Sequence, residues 1–575
     1  MNINMLISKK IKNVFLFFGL KNIYSININK TNIEKFGNYQ LNFIIFISKK
    51  FGIDSIILAK KLIYFIKLNG IVDKIDIIYP GFMNFFINIK FIKNLILDYI
   101  KSNRIGIKKL KFKNIVIDYS SPNIAKEMHV GHLRSTIIGD AYYRIILFLG
   151  LNAIKANHIG DWGAQFGMLI AYIVKKKIKK SEIKISCLEN YYCLAKIIYK
   201  KDPYFCKLSK KYLVKLQNRD QFCIKLWKKI LLNSIKKNQI IYDKLNVTLN
   251  YNDIYGESFY HNLLPNIIND LIKKKIALNN NGNIIIFLNE FKNKYGNKMG
   301  VIIKKKDGSY LYSAIDIACA KYRCEILKAN KIIYFVDSRQ NQYLLQIFKI
   351  VKKAGYVPKN VYMKHYMFGM ILNKNGKPFK TRDGSNIKLI KLLNESILRA
   401  KIIIKNKNPN IKTKELYKLA KIVGIGSIKY NDLSRNRVHN YIFNWNNMLN
   451  FNGNTYIYIQ YAYARISSII ERNCKNKKIL IYSINIKKKY EIKLANKLIQ
   501  LEEILFLIYK KATPNILCSY LYDVSVIFSS FYEKYSIINS KNFKTINSRL
   551  KLILLTRKTL KLGLNLLGIK ISNKM

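Results

Sequence analysis

The spacing of apolar residues changes along this chain and divides it into three stretches. Residues 1 to about 112 mix short helical and strand patterns around Phe36-Gly37-Asn38-Tyr39-Gln40 and Pro80-Gly81-Phe82-Met83-Asn84-Phe85-Phe86. The alternating run after Gly81 reads as a strand leaving a turn, which predicts a small α+β domain. From Ile115 the pattern differs. Ile115-Val116-Ile117 is a short buried strand, and a polar loop follows from Ser120. Next comes a helix with Ile138, Ala141, Ile145 and Leu149 on one face and Gly150 at its stop. Ala153 to Ala156 is the next strand. Strand, loop, helix and strand within about forty residues form the crossover unit of a parallel sheet. Sheet material returns at Lys331 to Val336. Between these segments, about 171 to 300 reads as a lysine-rich, helix-rich insertion with a hairpin near Asn279 to Phe287. After about 395, helical periodicity continues to the end and predicts an all-α bundle. The expected domains are therefore 1–112, 113–395 and 396–575, an α/β architecture with a Rossmann-type parallel sheet in the middle.

Length agrees with this division, since 575 residues exceed one core. Charge adds a partner class. Lys plus Arg number 102 against 32 Asp plus Glu, a net +70 that favours a polyanion such as nucleic acid. Abundant Ile, Lys, Asn, Tyr and Phe also match AT-rich codons, so the charge permits nucleic-acid binding without proving it. The eight cysteines form no C-x-x-C pair and no zinc spacing, which predicts reduced thiols, no structural metal and a cytoplasmic protein. No run of 18 apolar residues predicts a membrane span, and Lys21 ends the run from Val14 too early for a signal peptide.

The chemistry concentrates in the loop after the first strand of the sheet, Ser120-Ser121-Pro122-Asn123-Ile124-Ala125-Lys126-Glu127-Met128-His129-Val130-Gly131-His132. In open parallel sheets, ligands bind at the carboxyl ends of strands, where helix N-termini point their amides outward. Gly131 lets backbone approach a ligand, and His129 and His132 can donate to phosphate oxygens. Alone, two histidines around a glycine could equally be surface or metal-binding residues. Following a strand and opening a helix, they predict an ATP site.

This signature and its place resemble those of the class I aminoacyl-tRNA synthetases. The longer string through Asn157-His158-Ile159-Gly160-Asp161-Trp162-Gly163-Ala164-Gln165-Phe166-Gly167 resembles the arginyl-tRNA synthetases in particular. So do the Phe36 and Pro80 segments, Met367-Phe368-Gly369-Met370, Asn454 to Arg465, and Ser548 through Met575. The resemblance covers essentially the whole chain. It implies a class I catalytic domain, ATP with Mg²⁺, L-arginine and tRNA(Arg) as substrates, and a monomer. The second signature of the class falls at Gly376-Lys377-Pro378-Phe379-Lys380-Thr381-Arg382, where Thr381 replaces the usual second lysine. Many arginyl enzymes share that departure, and the resemblance assigns the missing cation to Lys126. The implied ATP contacts are Lys126, His129, Gly131, His132, Phe368, Gly369, Met370, Lys377, Lys380 and Arg382.

A guanidinium ligand needs carboxylates or a tyrosine hydroxyl in fixed positions. The resemblance places Asp118, Tyr312 and Asp316 around the guanidinium, with Asn123 and Gln340 on the amino and carboxyl groups. A carboxylate such as Asp118 closing a buried strand is costly without a partner. In the C-terminal stretch Tyr461, Tyr532 and Met575 are the implied anticodon contacts, and Asn84 and Phe86 the implied contacts with the tRNA elbow. Three other readings remain open at this point, a synthetase of the same fold for another amino acid, a small-molecule nucleotidyltransferase and a non-catalytic RNA-binding relative.

Overall fold

A computed structural model describes the whole chain except residues 1, 19–25, 27, 32–33, 125, 179–184, 293–295, 297, 379–386, 475–482 and 536–541. Its contacts divide it into two compact units. Unit 1 comprises Met1–Lys108, Asn450–Asn565 and Ile571–Met575, and unit 2 comprises Lys109–Leu449 and Leu566–Lys570.

Unit 1 begins with helix α1 (Ile3–Phe17), then strands β1 (Ile28–Lys30) and β2 (Tyr39–Leu41). Helices α2 (Phe43–Phe51) and α3 (Ser55–Phe65), strands β3 (Val72–Ile78) and β4 (Phe82–Ile87), and helix α4 (Ile89–Lys101) follow. The strands form an antiparallel sheet in the order β1-β2-β4-β3. The strand expected after Gly81 is β4. At Gly37, φ is +73° and a Cβ would lie 2.7 Å from the Phe85 carbonyl oxygen, so only glycine lets the turn before β2 close onto β4.

Unit 2 opens with β5 (Asn114–Asp118), α5 (Gly131–Phe148) and β6 (Asn152–Ala156), the predicted strand, loop, helix and strand. Ile115, Val116 and Ile117 are each at most 1% exposed, as expected of a strand covered on both faces. The insertion contains α6 (Ala164–Lys175), α7 (Ile185–Lys201), α8 (Pro203–Gln217), α9 (Gln221–Lys244) and α10 (Leu264–Lys273). A small antiparallel sheet of β7 (Leu278–Asn280), β8 (Asn283–Lys292) and β9 (Lys298–Lys304) completes it. The predicted hairpin turns at Asn281 and Gly282, both with positive φ, the backbone that an Asn-Gly pair favours. The chain then forms α11 (Tyr312–Glu325), β10 (Lys331–Tyr334), α12 (Asn341–Lys353), β11 (Tyr362–His365) and β12 (Ile371–Leu372). Helices α13 (Leu389–Lys407) and α14 (Thr413–Leu433) and strand β13 (Tyr441–Ile442) follow. The main sheet is parallel, in the order β11-β10-β5-β6.

The expected boundary at 395/396 falls inside α13, and both α13 and α14 belong to the unit that holds the parallel sheet. The remaining helices, α15 (Trp445–Met448) apart, are α16 (Tyr456–Cys474), α17 (Lys489–Leu498), α18 (Leu501–Lys511), α19 (Asn515–Lys534) and α20 (Phe543–Leu566). Most of their length lies in unit 1 with the N-terminal α+β elements. Buried Glu503 of α18 explains part of that union. It accepts from the Tyr39 hydroxyl at 2.7 Å and the Asn4 amide at 3.0 Å, and pairs with Lys30 at 2.9 Å.

Candidate active site

In the sheet register Asp118, at the carboxyl end of β5, lies between Ala156 of β6 and Tyr334 of β10. The backbone then passes through positive φ at Ser120 (70°) and Ser121 (44°), an uncommon path for residues with a Cβ. Hydrogen bonds fix it. The Ser120 amide donates to Ser135 Oγ at 2.9 Å, and the Ser121 amide donates to Asn157 Oδ1 at 3.1 Å. Strain held by surrounding bonds in this way is characteristic of ligand-binding turns.

The loop delivers the two histidines to the first turn of α5. The His129 amide donates to His132 Nδ1 at 3.1 Å, and the Gly131 amide donates to His129 Nδ1 at 3.1 Å. Each Nδ1 is thus an acceptor, so each neutral ring carries its proton on Nε2. The rings lie 4.0 Å apart. Burial, and then the neighbouring His129, lower the His132 pKa to about 3. Burial and the nearby Lys126 lower that of His129. The pair presents neutral N–H donors at a helix N-terminus, where an anion is favoured. Lys126 is exposed, with its ammonium 4.8 Å from the centre of the Tyr192 ring.

Two further segments are tied to this loop. The Val130 amide donates to the Ile387 carbonyl at 3.0 Å and the Leu389 amide to the Met128 carbonyl at 2.9 Å. The segment just after the second signature therefore pairs with the first. Glu127 reinforces the pairing through Lys388 at 3.0 Å and through Lys237. Lys377 is exposed in a turn before Pro378, whereas Lys380 and Arg382 lie outside the described residues. Phe368 is 5% exposed, and the Gly369 carbonyl accepts from Arg134 Nη1 at 2.7 Å. Arg134 is itself buried against Asp432 at 3.2 Å. A Cβ on Gly369 would meet His439 and Asn440 at 2.6 Å, and the Met370 amide donates to Asn440 Oδ1 at 2.7 Å.

Beside β5 lies an acidic pocket. Asp316 on α11 accepts from the Tyr343 hydroxyl, and its Oδ1 is 3.5 Å from His158 Nε2. Burial raises its pKa, with His158 opposing. Tyr312 is 59% exposed and stacks edge-on against Tyr343 at 5.1 Å. Glu257 is the member that sequence reasoning misses. Ser258 anchors it by donating from its amide (2.9 Å) and hydroxyl (2.7 Å) to Asp161, and the Trp162 amide donates to Glu257 Oε2 at 3.3 Å. Burial, Asp161 and Asp316 raise its pKa to about 7 against the pull of His158. The one available signal was the scarcity of acids, which makes each one beside a buried strand conspicuous.

The place expected for a substrate guanidinium at Asp118 holds one from the protein itself. Arg323 Nη2 donates to Asp118 Oδ2 at 2.6 Å, and the Ser121 hydroxyl donates to Oδ1 at 2.9 Å. Both partners are buried, which supplies the compensation that a carboxylate at this strand end requires. The acids near this strand end that no Lys or Arg side chain pairs therefore include Asp316, held by Tyr343 and His158, and Glu257, held by the Trp162 amide. Asn123 is exposed and bridged to Gly160, where a Cβ would lie 2.3 Å from Asn123 Oδ1. Gln340 is exposed at the end of the turn Ser338–Gln340.

In unit 1, Tyr461 is 48% exposed and its hydroxyl accepts from Arg465 Nη2 at 2.8 Å. The Arg465 guanidinium lies 4.8 Å from the Tyr461 ring and 5.3 Å from that of Tyr532. Gln460, next in sequence, holds the C-terminal tail by donating to the Ser572 carbonyl at 2.6 Å and accepting from the Ser572 amide at 3.1 Å, three residues before Met575. Asn84 is fully buried in β4, with its Oδ1 accepting from Gln40 Nε2 at 2.8 Å. Phe86, the other residue assigned to the elbow, is half-buried, with Lys74 Nζ 5.6 Å from its ring centre.

A parallel sheet whose first loop carries H-x-G-H into a helix N-terminus, with the segment Ile387–Leu389 paired to that loop, is the arrangement that the resemblance to class I aminoacyl-tRNA synthetases implies. Comparison with known proteins carries this further. Family models match at residues 93–445 (tRNA synthetases class I (R), catalytic domain), 459–575 (DALR anticodon binding domain) and 1–87 (arginyl tRNA synthetase N-terminal domain). Among curated relatives, the arginine–tRNA ligase of Sodalis glossinidius is 47% identical and that of Buchnera aphidicola (strain Tuc7) 51%, each over 100% of both chains. The crystal structure of arginyl-tRNA synthetase from Plasmodium falciparum is 31% identical, with a TM-score of 0.85 over 100% of this chain and 99% of that one. The chain belongs to the arginyl-tRNA synthetase family.

Proposed function

We propose that this chain is an arginine–tRNA ligase that joins arginine to ATP at the His129/His132 turn and transfers it to tRNA(Arg), with bound tRNA required for the first step. The arginine carboxylate attacks the α-phosphorus of ATP, and the bond to the β-phosphate oxygen breaks to release pyrophosphate. The terminal ribose hydroxyl of the tRNA then attacks the arginyl carbonyl, and AMP leaves. No covalent enzyme intermediate is needed, so positioning and charge stabilisation carry the catalysis. His129 and His132 offer Nε2–H donors to the phosphates, and exposed Lys126 offers a mobile cation. Lys377, Lys380 and Arg382 are assigned to pyrophosphate, and Phe368 to Met370 to the nucleotide. Asp316, Glu257 and Tyr312 receive the guanidinium, while Asn123 and Gln340 hold the other end of the amino acid. The observation that carries the reading is the acid pair Asp316 and Glu257, held against the segment His158–Trp162, which is itself bridged to the loop that leads to the histidine turn.

Mg²⁺ would arrive with ATP, bridging its phosphates rather than sitting in a dedicated protein cage. A cytoplasmic monomer is part of the proposal. None of the seven described cysteines forms a disulfide, which fits a reducing compartment, and no described helix is long and apolar enough to cross a membrane. Pyrophosphate release from ATP, measured with arginine and tRNA added singly and together, tests substrate, reaction and tRNA dependence at once. Release at full rate without tRNA sinks the tRNA requirement, and no release with every component present sinks the ligase.

Two expected effects follow here. With its pKa near 7, Glu257 takes up a proton as pH falls from 8 to 6 and loses the charge that attracts a guanidinium. The KM for arginine should rise roughly tenfold over that range, and Glu257→Gln should flatten the profile. At the Tyr461–Arg465–Tyr532 surface, Tyr461→Ala removes a stacking platform valued at about 1–3 kcal/mol. The KM for tRNA should rise roughly tenfold while tRNA-saturated turnover stays near the parent value. A variant with an unchanged KM would remove Tyr461 from the RNA surface.

A further inference from the structure

Unit 2 contains a second cleft, of about 200 Å³, that the reaction described above does not use. It lies between the end of α9, one face of α14 and the segment Leu566–Lys570. Five of its twelve lining residues are lysines, namely Lys244, Lys418, Lys421, Lys429 and Lys570. The one acid among the twelve, Asp243, accepts from Gln239 Nε2 at 2.9 Å. Lys418, Lys421 and Lys429 follow the i, i+3, i+11 spacing of a single helix face, which concentrates like charge.

Lys429 is fully buried, unlike its neighbours at the rim. Its Nζ donates to the Leu245 carbonyl at 2.7 Å and the Gly568 carbonyl at 2.8 Å. An ammonium has three N–H donors, and the third finds no acceptor among the described residues. Gly568 accommodates this arrangement. Its φ is +67°, and a Cβ there would lie 2.7 Å from Lys429 Nζ, 3.0 Å from Asp140 Oδ2 and 3.1 Å from Arg144 Nε. The cleft is apolar beneath its charged rim, where Ile422, Ile425 and Ile569 line it with Gly426. Asp140 is nine residues beyond Gly131 on α5, so this end of the helix is about 14 Å along the axis from the histidine turn.

An apolar floor under a ring of cations matches a ligand with a flat ring and an anionic group. We propose that this cleft binds a nucleoside phosphate, with the base on the isoleucines and the phosphate between the exposed rim lysines Lys418 and Lys421. The nucleotide has two possible sources, a residue of the bound tRNA or a free mononucleotide. The first source rests on the ligase reading, and the second does not.

The test uses the full chain, the double variant Lys418→Gln/Lys421→Gln, and the control Lys60→Gln/Lys61→Gln on α3. The control removes equal charge from the other unit. Uridine 5′-monophosphate binding by calorimetry and tRNA dissociation constants are measured for all three. A tRNA source predicts a dissociation constant raised about fivefold or more beyond the control. A free-nucleotide source predicts that uridine monophosphate binds the parent and the control, binds the cleft variant about fivefold more weakly, and leaves tRNA affinity level with the control. Cleft variant and control alike in both measurements would overturn the site. Failure of the parent to release pyrophosphate would count against the ligase reading alone, because both binding measurements remain readable.

Discussion

Replacing His132 with alanine should lower arginine activation by about 10²- to 10³-fold, the usual loss when one preorganised donor to a developing oxyanion is removed. The loss should appear in kcat more than in the KM for ATP, because the donor matters most when charge builds on the phosphates. The geometry makes this specific to Nε2. Since the His129 amide occupies His132 Nδ1, a side chain that donates only from a position nearer the backbone should rescue poorly. The pH behaviour follows as well. An ordinary histidine pKa near 6.5 is lowered to about 3 here, so His132 stays neutral through the working range and adds no acid limb to kcat. The unfolded chain protonates this residue below about pH 6.5 while the native chain resists. Its contribution to stability is thus present above pH 6.5 and lost as pH falls toward 3, and the alanine variant should lose less stability over that window. Pyrophosphate release across pH 5.5–8 checks the first point. An unaltered rate in His132→Ala would remove the residue from the chemistry.

What the chain disclosed in advance was local. The β5–loop–α5–β6 unit could be read because its signals fall within about forty consecutive residues, as could the Asn281–Gly282 hairpin. The ends of the site that depend on distant partners could not. Arg323 meets Asp118 across 205 positions, and Glu257 is placed by Asp161, 97 positions before its neighbour Ser258. Neither carries a local pattern, since one buried arginine on a helix looks like any other until its partner is known. The boundary expected near 395 falls inside α13 for a related reason. Helical periodicity starts there, but which faces α13 and α14 cover is set by long-range contacts such as Asp432 with Arg134 on α5. Union of the N-terminal sheet with the C-terminal helices depends likewise on Glu503 reaching Tyr39 across 464 positions. The family resemblance supplied residue roles that periodicity alone did not contain, and for Asp118 the structure shows why such a role needs testing against the neighbours actually present.

Asp316→Asn is the test of where the guanidinium sits, and it should lower kcat/KM for arginine by about 10²- to 10³-fold. Removing one charge from a desolvated, hydrogen-bonded pair costs about 2–5 kcal/mol, much of it from the partner left uncompensated. With Asp118 occupied by Arg323, the charge that Asp316 offers cannot be replaced from that side. Burial already raises the Asp316 pKa, and an incoming guanidinium would relieve this by favouring the ionised form. Asparagine keeps the size of the side chain and can still accept from the Tyr343 hydroxyl, so folding should change little. Selectivity is the sharper readout. Citrulline has nearly the shape of arginine without its charge, and a site that recognises charge should reject it strongly in the parent enzyme. The variant should lose most of its arginine activity while citrulline stays at its low parent level, so that the ratio between them collapses. If Asp118→Asn collapsed that ratio and Asp316→Asn did not, the substrate would have to displace Arg323, and the guanidinium site would move to the end of β5.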